Sequence, residues 1–305
     1  MTTPVFIPFA EGQARLDWLR MAQAIAGGHL LARAQVADVL LYRGKDTLLN
    51  RSAWIDGLGL AVKVCTIWPG NPALGLPMVG GAVNLCRDSD GALEAVLDFH
   101  LVTRWKTAAD SLLAATRLAR KDSRAILIVG AGTVGRSLHA AYGAAFPDAR
   151  FTVWNRSADG AARFAADCPG TAVAPDLEQA VRAADIVTCA TMSTTPLIRG
   201  DWLQPGQHVD LIGAYTPAMR EADDTAIARA RVFCDNRDTV VHHIGELMDP
   251  IRAGVIGPDD VIADFYQPER MLRQTDAEIT LFKNGGGAHL DLMVSRHILD
   301  VWQGR

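Results

Sequence analysis

The sequence predicts an α/β protein, with a parallel, helix-wrapped sheet in its second part and antiparallel strands before it. Three observations carry this. After Ser123, apolar runs alternate with helical ones: AILIV with SLHAAYGAAF, RFTVW with ADGAARFAAD, and LEQAVRAA with DIVTCA and then HVDLIGA. Such alternation is the mark of strands joined by crossover helices, which makes the strands parallel. Between residues 46 and 100 the apolar runs GLAVKVCTIW, MVGGAVNLC and ALEAVLDFH are separated by turn residues instead, and Asp88-Ser89-Asp90-Gly91 marks a hairpin. The third observation is a glycine-rich turn that directly follows the strand AILIV and opens a helix.

The flanking elements follow in order. Residues 11–42 read as helical, broken only around Gly27 and Gly28. The run TAADSLLAATRLARK leads from Thr107 to Asp122-Ser123-Arg124, where the pattern changes. The alternation continues to ITLFK, after which Gly285-Gly286-Gly287 precede a last helix, HLDLMVSRHILDVW.

Composition excludes several classes. The 305 residues suit two domains, and the apolar share of 49% is enough for sizeable cores. A net charge of -4 gives no basic footprint, which argues against nucleic acid and against an anionic membrane surface. No apolar stretch approaches the ~18 residues of a membrane span, and the N-terminus lacks a basic segment leading into an apolar run. The cysteines, Cys65, Cys86, Cys168, Cys189 and Cys234, are odd in number and contain no CxxC, so the expectation is free thiols in a reducing cytoplasm, with no metal site. His242-His243 does not change that, because adjacent side chains do not converge on one ion and no third ligand sits at a metal spacing.

The turn reads Gly130-Ala131-Gly132-Thr133-Val134-Gly135, a GxGxxG in the strand-to-helix setting that gives it meaning. Gly130 permits the tight turn, Gly132 lets a pyrophosphate approach the backbone, and Gly135 lets helix and strand pack closely. The helix N-terminus offers its N–H groups and dipole to the phosphates. This is a Rossmann dinucleotide-binding unit, and it points to an NAD(P)-dependent oxidoreductase. The end of the second strand, where an NAD enzyme places a carboxylate, carries Asn155, Arg156 and Ser157. A cation and two neutral hydrogen-bonding groups would accept a 2′-phosphate, so NADP(H) is expected over NAD(H). Thr191, just past DIVTCA, joins these as a cofactor-binding candidate.

Several longer blocks carry a resemblance: VKVCTIWPGNPALGLPMVGGAVNL, VTRWKTAADS, GAGTVG, PGQHVDLIGA, GELMDPIRAG and ITLFKNGGGAHLDL, in that order. In these the chain resembles the ornithine cyclodeaminase/mu-crystallin family. The resemblance implies a Rossmann domain, residues 116–287, inserted in an α+β substrate-binding and dimerisation domain made of residues 1–115 and 288–305. It implies a homodimer, a small imino- or amino-acid substrate, and hydride exchange at the carbon bearing the nitrogen.

Site residues carry over one at a time. Lys63 in AVKV matches the family's active-site lysine, to orient the substrate carboxylate or move a proton. A lysine in an apolar strand is costly unless paired, and a substrate carboxylate would supply that pair; a lysine snorkelling from a strand edge is the alternative. Lys106 stands where the family commonly has arginine, so charge is kept and the planar fork is lost. It is the second carboxylate cation, with Arg104 as a substitute or a surface residue, and Thr107 lies near the cofactor phosphates. Arg43 is a third substrate cation, with Arg51 as its competitor. Gly285 belongs to a backbone that approaches a ligand. Asp291 reads as a cap or packing residue, His289 as non-catalytic, and Glu246 as packing or capping.

The informative departure is Tyr215, in Gly213-Ala214-Tyr215-Thr216-Pro217, where cyclodeaminases carry an aspartate. Expelling ammonia needs an amine-activating base, whereas reducing an imine needs only a proton and a hydride. No role replacing that aspartate is read for Asp210 or Asp223. The reading is therefore an NADP(H)-dependent reductase of a small cyclic imino acid, such as 1-pyrroline-2-carboxylate. The alternatives are an ornithine cyclodeaminase, an alanine-type amino-acid dehydrogenase, and a non-catalytic NADP-dependent binder.

Overall fold

The hairpin signals of residues 46–100 close a six-stranded sheet in the computed structural model, which describes residues 3–305. Its strands are β1 (Val5–Ile7), β2 (Gln35–Arg43), β3 (Asp46–Ile55), β4 (Gly59–Ile67), β5 (Val79–Cys86) and β6 (Leu93–Asp98), in the order β1-β6-β5-β4-β3-β2. All neighbours are antiparallel except β1, which lies parallel to β6. The hairpin at Asp88–Gly91 forms between β5 and β6, with Gly91 at a positive φ of 69°.

Along β4, Ala61, Lys63 and Cys65 share the buried face, as the period of two requires. That face is covered by a C-terminal helix, Ala288–Trp302, against which packs α2 (Trp18–Gly28), capped by Asp17 as it accepts the Arg20 N–H. The C-terminal helix buries Leu290, Leu292, Val294, Ile298 and Leu299. Arg296 of the same helix donates to the carbonyls of Leu58 and Cys86 and pairs with Glu94 at 2.7 Å. A short α1 (Phe9–Gln13) follows β1.

Residues 11–42 are thus only partly helical. Gln35–Arg43 is the edge strand β2, paired along its length with β3. Every residue of β2 is exposed, so it carries no buried-face alternation to announce a strand.

A second unit covers Thr107–Gly286, and the first comprises the chain up to Lys106 with Gly287–Arg305. The division falls within α3 (Phe99–Leu118), at Thr107, earlier than residue 116. The second unit holds an eight-stranded parallel sheet of β7 (Ala125–Val129), β8 (Arg150–Trp154), β9 (Ala172–Val173), β10 (Ile186–Cys189), β11 (His208–Leu211), β12 (Arg231–Cys234), β13 (Val261–Ala263) and β14 (Thr280–Lys283). Its order is β13-β12-β14-β11-β10-β7-β8-β9. The helices are α4 (Thr133–Ala145), α5 (Ala158–Asp167), α6 (Leu177–Ala183), α7 (Asp224–Arg229), α8 (Arg237–Val240) and α9 (Gly245–Arg252).

The chain builds outward from β7 in both directions, first through β8 and β9 and then, on the other side, through β10 and β11. The order therefore reverses between β7 and β10, and the crevice at the carboxyl ends of those strands is where an open α/β sheet takes its ligand. Ile126, Leu127, Ile128 and Val129 are fully buried, as a central strand covered on both faces must be. Among the described residues no helix is long and apolar enough to cross a membrane.

Candidate active site

The glycine turn sits at the carboxyl end of β7. Gly130 has φ 109°, and a Cβ there would lie 2.6 Å from the Ala190 carbonyl oxygen; at Gly135 a Cβ would lie 2.4 Å from the Gly130 carbonyl. Both positions are closed to side chains. Gly132, the N-cap of α4, has nothing within 4 Å of its would-be Cβ. Its glycine is not explained by the protein's own packing, and an open approach beside the first N–H groups of α4 fits a pyrophosphate. Ala131, Thr133 and Val134 complete the turn, and Arg136 braces it by donating to the Ala131 carbonyl at 2.7 Å while pairing with Asp167.

The tip of β8 is partly committed to structure. The Asn155 Oδ1 accepts the Ala131 N–H at 3.2 Å and its Nδ2 donates to the Ser157 carbonyl, while the Ser157 hydroxyl caps α5 by accepting the Gly160 N–H. Arg156 is exposed, and no hydrogen bond or ion pair holds its side chain among the described residues. It is the cation at this tip free to turn to a phosphate. Thr191 is tied down: its N–H and its hydroxyl both donate to Glu221 Oε1, at 2.7 and 2.9 Å. Thr107 is half-buried, and its carbonyl accepts from Asn284.

Two buried acids, Glu221 and Glu246, join the site beyond the residues that the sequence marks. The second oxygen of Glu221 accepts the Gly213 N–H at 2.6 Å and the Ala214 N–H at 3.4 Å, so one carboxylate binds the loop after β10 to the loop after β11. Glu246, the second residue of α9, accepts the N–H groups of Glu221 and Ala222 and fixes the carrier in turn. Both are fully buried. The Glu246 carboxyl is pushed up to about 7, first by burial and then by the neighbouring Glu221, against the pull of Lys283 and the two N–H donors. The available sequence signal is a glutamate inside each of the compact blocks MREAD and GELMDP.

Gly285 is closed: its would-be Cβ meets Val240 Cγ2 at 2.4 Å and Asp235 Oδ1 at 3.1 Å. The glycine run wraps Asp235, which accepts the Gly286 N–H, so protein side chains fill the space that a side chain at Gly285 would need. Asp210 accepts from Tyr142, Ser111 and Thr188, and Asp223 caps α7. Neither is free to replace the missing aspartate, and Tyr215 itself is exposed.

The first unit holds a buried charge cluster. Lys63 on β4, Lys106 on α3 and Asp291 on the C-terminal helix are 5%, 4% and 1% exposed. Both ammonium groups converge on one oxygen, Asp291 Oδ1, at 3.0 Å from Lys63 and 2.8 Å from Lys106. Lys63 also reaches the Thr103 hydroxyl at 3.4 Å and lies 5.0 Å over the Phe99 ring. Asp291 Oδ2 is buried without a hydrogen-bond partner among the described residues.

Two expectations are thereby corrected. Asp291 is not a cap, since the N-cap of the helix is Gly287, with no side-chain cap hydrogen bond. The partner that a buried Lys63 requires is supplied by the protein, 228 residues away in the chain. Burial would raise the Asp291 carboxyl, but Lys106 and Lys63 outweigh it and hold it below its usual range. Lys106 falls to about 7, through burial first, with Asp291 opposing and Lys63 adding to the fall.

Of the competing arginines, Arg43 is exposed and bound to its neighbour Asp46. Arg51 lies directly across from Lys63 on β3, holds Asp38 at 2.8 Å, and is the one whose charge is felt by Asp291 and Lys106. Arg104 is half-buried, with its Nε lacking a partner among the described residues.

Comparison with known proteins places this arrangement. Residues 55–305 match the model of the ornithine cyclodeaminase/mu-crystallin family. The chain belongs to that family. It is 48% identical to a Delta(1)-pyrroline-2-carboxylate reductase of Paracoccus denitrificans, over 99% of this chain and 98% of the relative. It is 29% identical to the ketimine reductase mu-crystallin of Mus musculus, over 80% of this chain and 76% of the relative. An archaeal alanine dehydrogenase dimer with bound NAD superposes with TM-score 0.90 at 26% identity, covering 99% and 96% of the two chains. The Thermococcus litoralis Delta(1)-pyrroline-2-carboxylate reductase, solved with NADH and L-proline, superposes with TM-score 0.91 over 98% of each chain at 23% identity, a likeness of fold.

Two outcomes are expected. Gly132→Ala folds with an unchanged melting temperature yet binds the dinucleotide at least tenfold more weakly by fluorescence titration; unchanged affinity would contradict the open face assigned to Gly132. For Glu246 the folded value lies above the unfolded one, so the unfolded chain binds fewer protons between about 4.5 and 7, and stability falls as pH rises through that window. Its share of the slope is at most about 1.4 kcal/mol per pH unit. Denaturant melts between pH 5 and 8 should show this slope in the wild type and its loss in Glu246→Gln; parallel curves would refute it.

Proposed function

We propose that the chain is an NADP(H)-dependent reductase that converts 1-pyrroline-2-carboxylate to proline, with 1-piperideine-2-carboxylate as a second substrate. The observation that carries this is the convergence of two buried ammonium groups on a single carboxylate. Two cations in an apolar interior are a receptor for a carboxylate head, and the identity of almost half the positions to a pyrroline-carboxylate reductase supports the same substrate. One added methylene in the ring changes affinity by only roughly 1–3 kcal/mol, which is why both ring sizes are included.

In this reading Lys63 and Lys106 hold the substrate carboxylate and fix the ring that carries the C=N bond. Gly130, Gly132 and the α4 N-terminus hold the pyrophosphate, and Arg156 meets the 2′-phosphate. The bound nicotinamide supplies a hydride to the imine carbon. Lys63, or water, supplies the proton that completes the amine, so the C=N bond becomes CH–NH and the dinucleotide leaves oxidised. Exclusion of water around the cluster strengthens the charge contacts of Lys63 and Lys106.

The absence of a carboxylate at the β8 tip supports NADP(H) over NAD(H). Tyr215 in place of an acid speaks against ammonia loss, since nothing there activates a leaving amine. We further propose that the chain works in the cytoplasm, in keeping with its five free thiols, and as a homodimer. The edge strand β2 presents Val39, Leu41 and Tyr42 at 53%, 58% and 70% exposure, an apolar edge that a second copy would cover.

Following NADPH absorbance with 1-pyrroline-2-carboxylate tests the activity. Steady turnover is expected, with a tenfold or greater preference for NADPH over NADH that Arg156→Ser abolishes, and with Lys63→Met lowering kcat/KM by at least a hundredfold. Ammonia release from ornithine without reductant, or NADPH binding with no consumption by any imine, would overturn the reading. Light scattering should give twice the chain mass, and Tyr42→Asp should halve it; a wild-type monomer would reject the dimer.

A further inference from the structure

Three strand ends of the second unit meet around Thr191. Gly130 follows β7, and a Cβ there would lie 2.6 Å from the Ala190 carbonyl oxygen and 3.3 Å from Thr191 Cγ2. Gly213 lies beyond β11, and a Cβ there would run into the backbone of Thr191 itself. Thr191, just past β10, is therefore packed between two positions that only glycine fills. Glu221 closes the arrangement. Its Oε1 accepts the Thr191 N–H and hydroxyl at 2.7 and 2.9 Å, and its Oε2 accepts the Gly213 and Ala214 N–H groups at 2.6 and 3.4 Å. These contacts fix two segments that lie beyond Cys189 and Leu211, the last paired residues of their strands. Hydrogen bonds to an ionised carboxylate are the strong ones. Glu246 accepts the Glu221 N–H at 2.8 Å, so the clamp is itself held.

A dinucleotide lies across the switch point of an open parallel sheet, with one mononucleotide half on each side. The adenosine half belongs to β8, whose tip carries Asn155, Arg156 and Ser157. The other side, at the ends of β10 and β11, is left for the nicotinamide. We propose that Glu221 is a positioning residue for the nicotinamide half: by clamping Thr191 to Gly213 and Ala214 it presets the wall against which that half lies, and it leaves the adenosine half untouched. This rests on the dinucleotide site proposed above. A carboxylate is required because Thr191, Gly213 and Ala214 all present donors to it. A glutamine would turn its NH2 toward Thr191 or toward Gly213, and one of the two loops would lose its hold. A preset wall spares the ring the cost of ordering two loops and shortens the search for the reactive geometry.

The test compares each dinucleotide with the same molecule lacking its nicotinamide ring: NADPH with 2′-phospho-ADP-ribose, and NADH with ADP-ribose. Dissociation constants are measured calorimetrically on the full-length wild type, Glu221→Gln and Thr191→Val. The ratio within a pair isolates the ring, so it does not depend on which dinucleotide is preferred. In the wild type the ring is expected to tighten binding at least tenfold. In Glu221→Gln that margin should shrink below threefold, while the ringless ligand binds within twofold of wild type. Thr191→Val keeps the side chain's shape and removes one donor, so its margin should fall between the two. A wild type without the margin overturns the assignment, as does a margin kept in Glu221→Gln, including one where both ligands weaken together as a merely structural role would have it. Where Glu221→Gln does not fold, Thr191→Val decides, and a full wild-type margin there overturns the assignment. A wild type that binds neither pair overturns the dinucleotide site itself, a distinct outcome.

Discussion

A lysine ammonium in a protein interior survives only with a partner, and the first unit is organised around that constraint. Lys63 comes from the buried face of β4, Lys106 from α3 and Asp291 from the C-terminal helix, so three separate elements meet at one carboxylate oxygen. The sheet must present Lys63 inward between Ala61 and Cys65, and the last helix must seat itself on β3 and β4 for Asp291 to arrive. Breaking one partner of such a buried pair costs about 3–5 kcal/mol, because it strands the other charge.

The second unit solves a different electrostatic problem with backbone instead of side chains. Gly130 and Gly135 are dictated by close contacts with the protein itself, while Gly132 faces open space at the start of α4. The loops around it are fixed by buried acids: Glu221 gathers four donors from the ends of β10 and β11, and Glu246 holds Glu221. Burial first, and then repulsion from the neighbouring Glu221, pushes the Glu246 carboxyl up to about 7. Rigid loop ends at the switch point of the sheet are obtained at that expense.

What the sequence made legible follows from how local each signal is. The glycine turn, β7 and α4 lie within about twenty residues, and motif and structure coincide there. The hairpin at Asp88–Gly91 is equally local. The strand β2 was hidden because it has no buried face, and a fully exposed strand writes no alternation. Asp291 was hidden for the opposite reason: its partners are 228 and 185 positions away (291 − 63 and 291 − 106), so nothing near it distinguishes it from a capping acid. Its one signal was a carboxylate in the apolar run HLDLMV, matched by a lysine in the apolar run AVKV; each needs a partner, and each is the other's. Glycine at 285 is required by close contact with Asp235 and Val240, a demand that only the folded chain reveals.

The central claim is that this cluster receives the substrate's carboxylate. A crystal structure of the chain with NADP+ and pyrrole-2-carboxylate tests it most directly. The account predicts ligand carboxylate oxygens within hydrogen-bond distance of Nζ of both Lys63 and Lys106, with Asp291 still beside them. A ligand seated elsewhere, with both lysines satisfied by Asp291 alone, would contradict it.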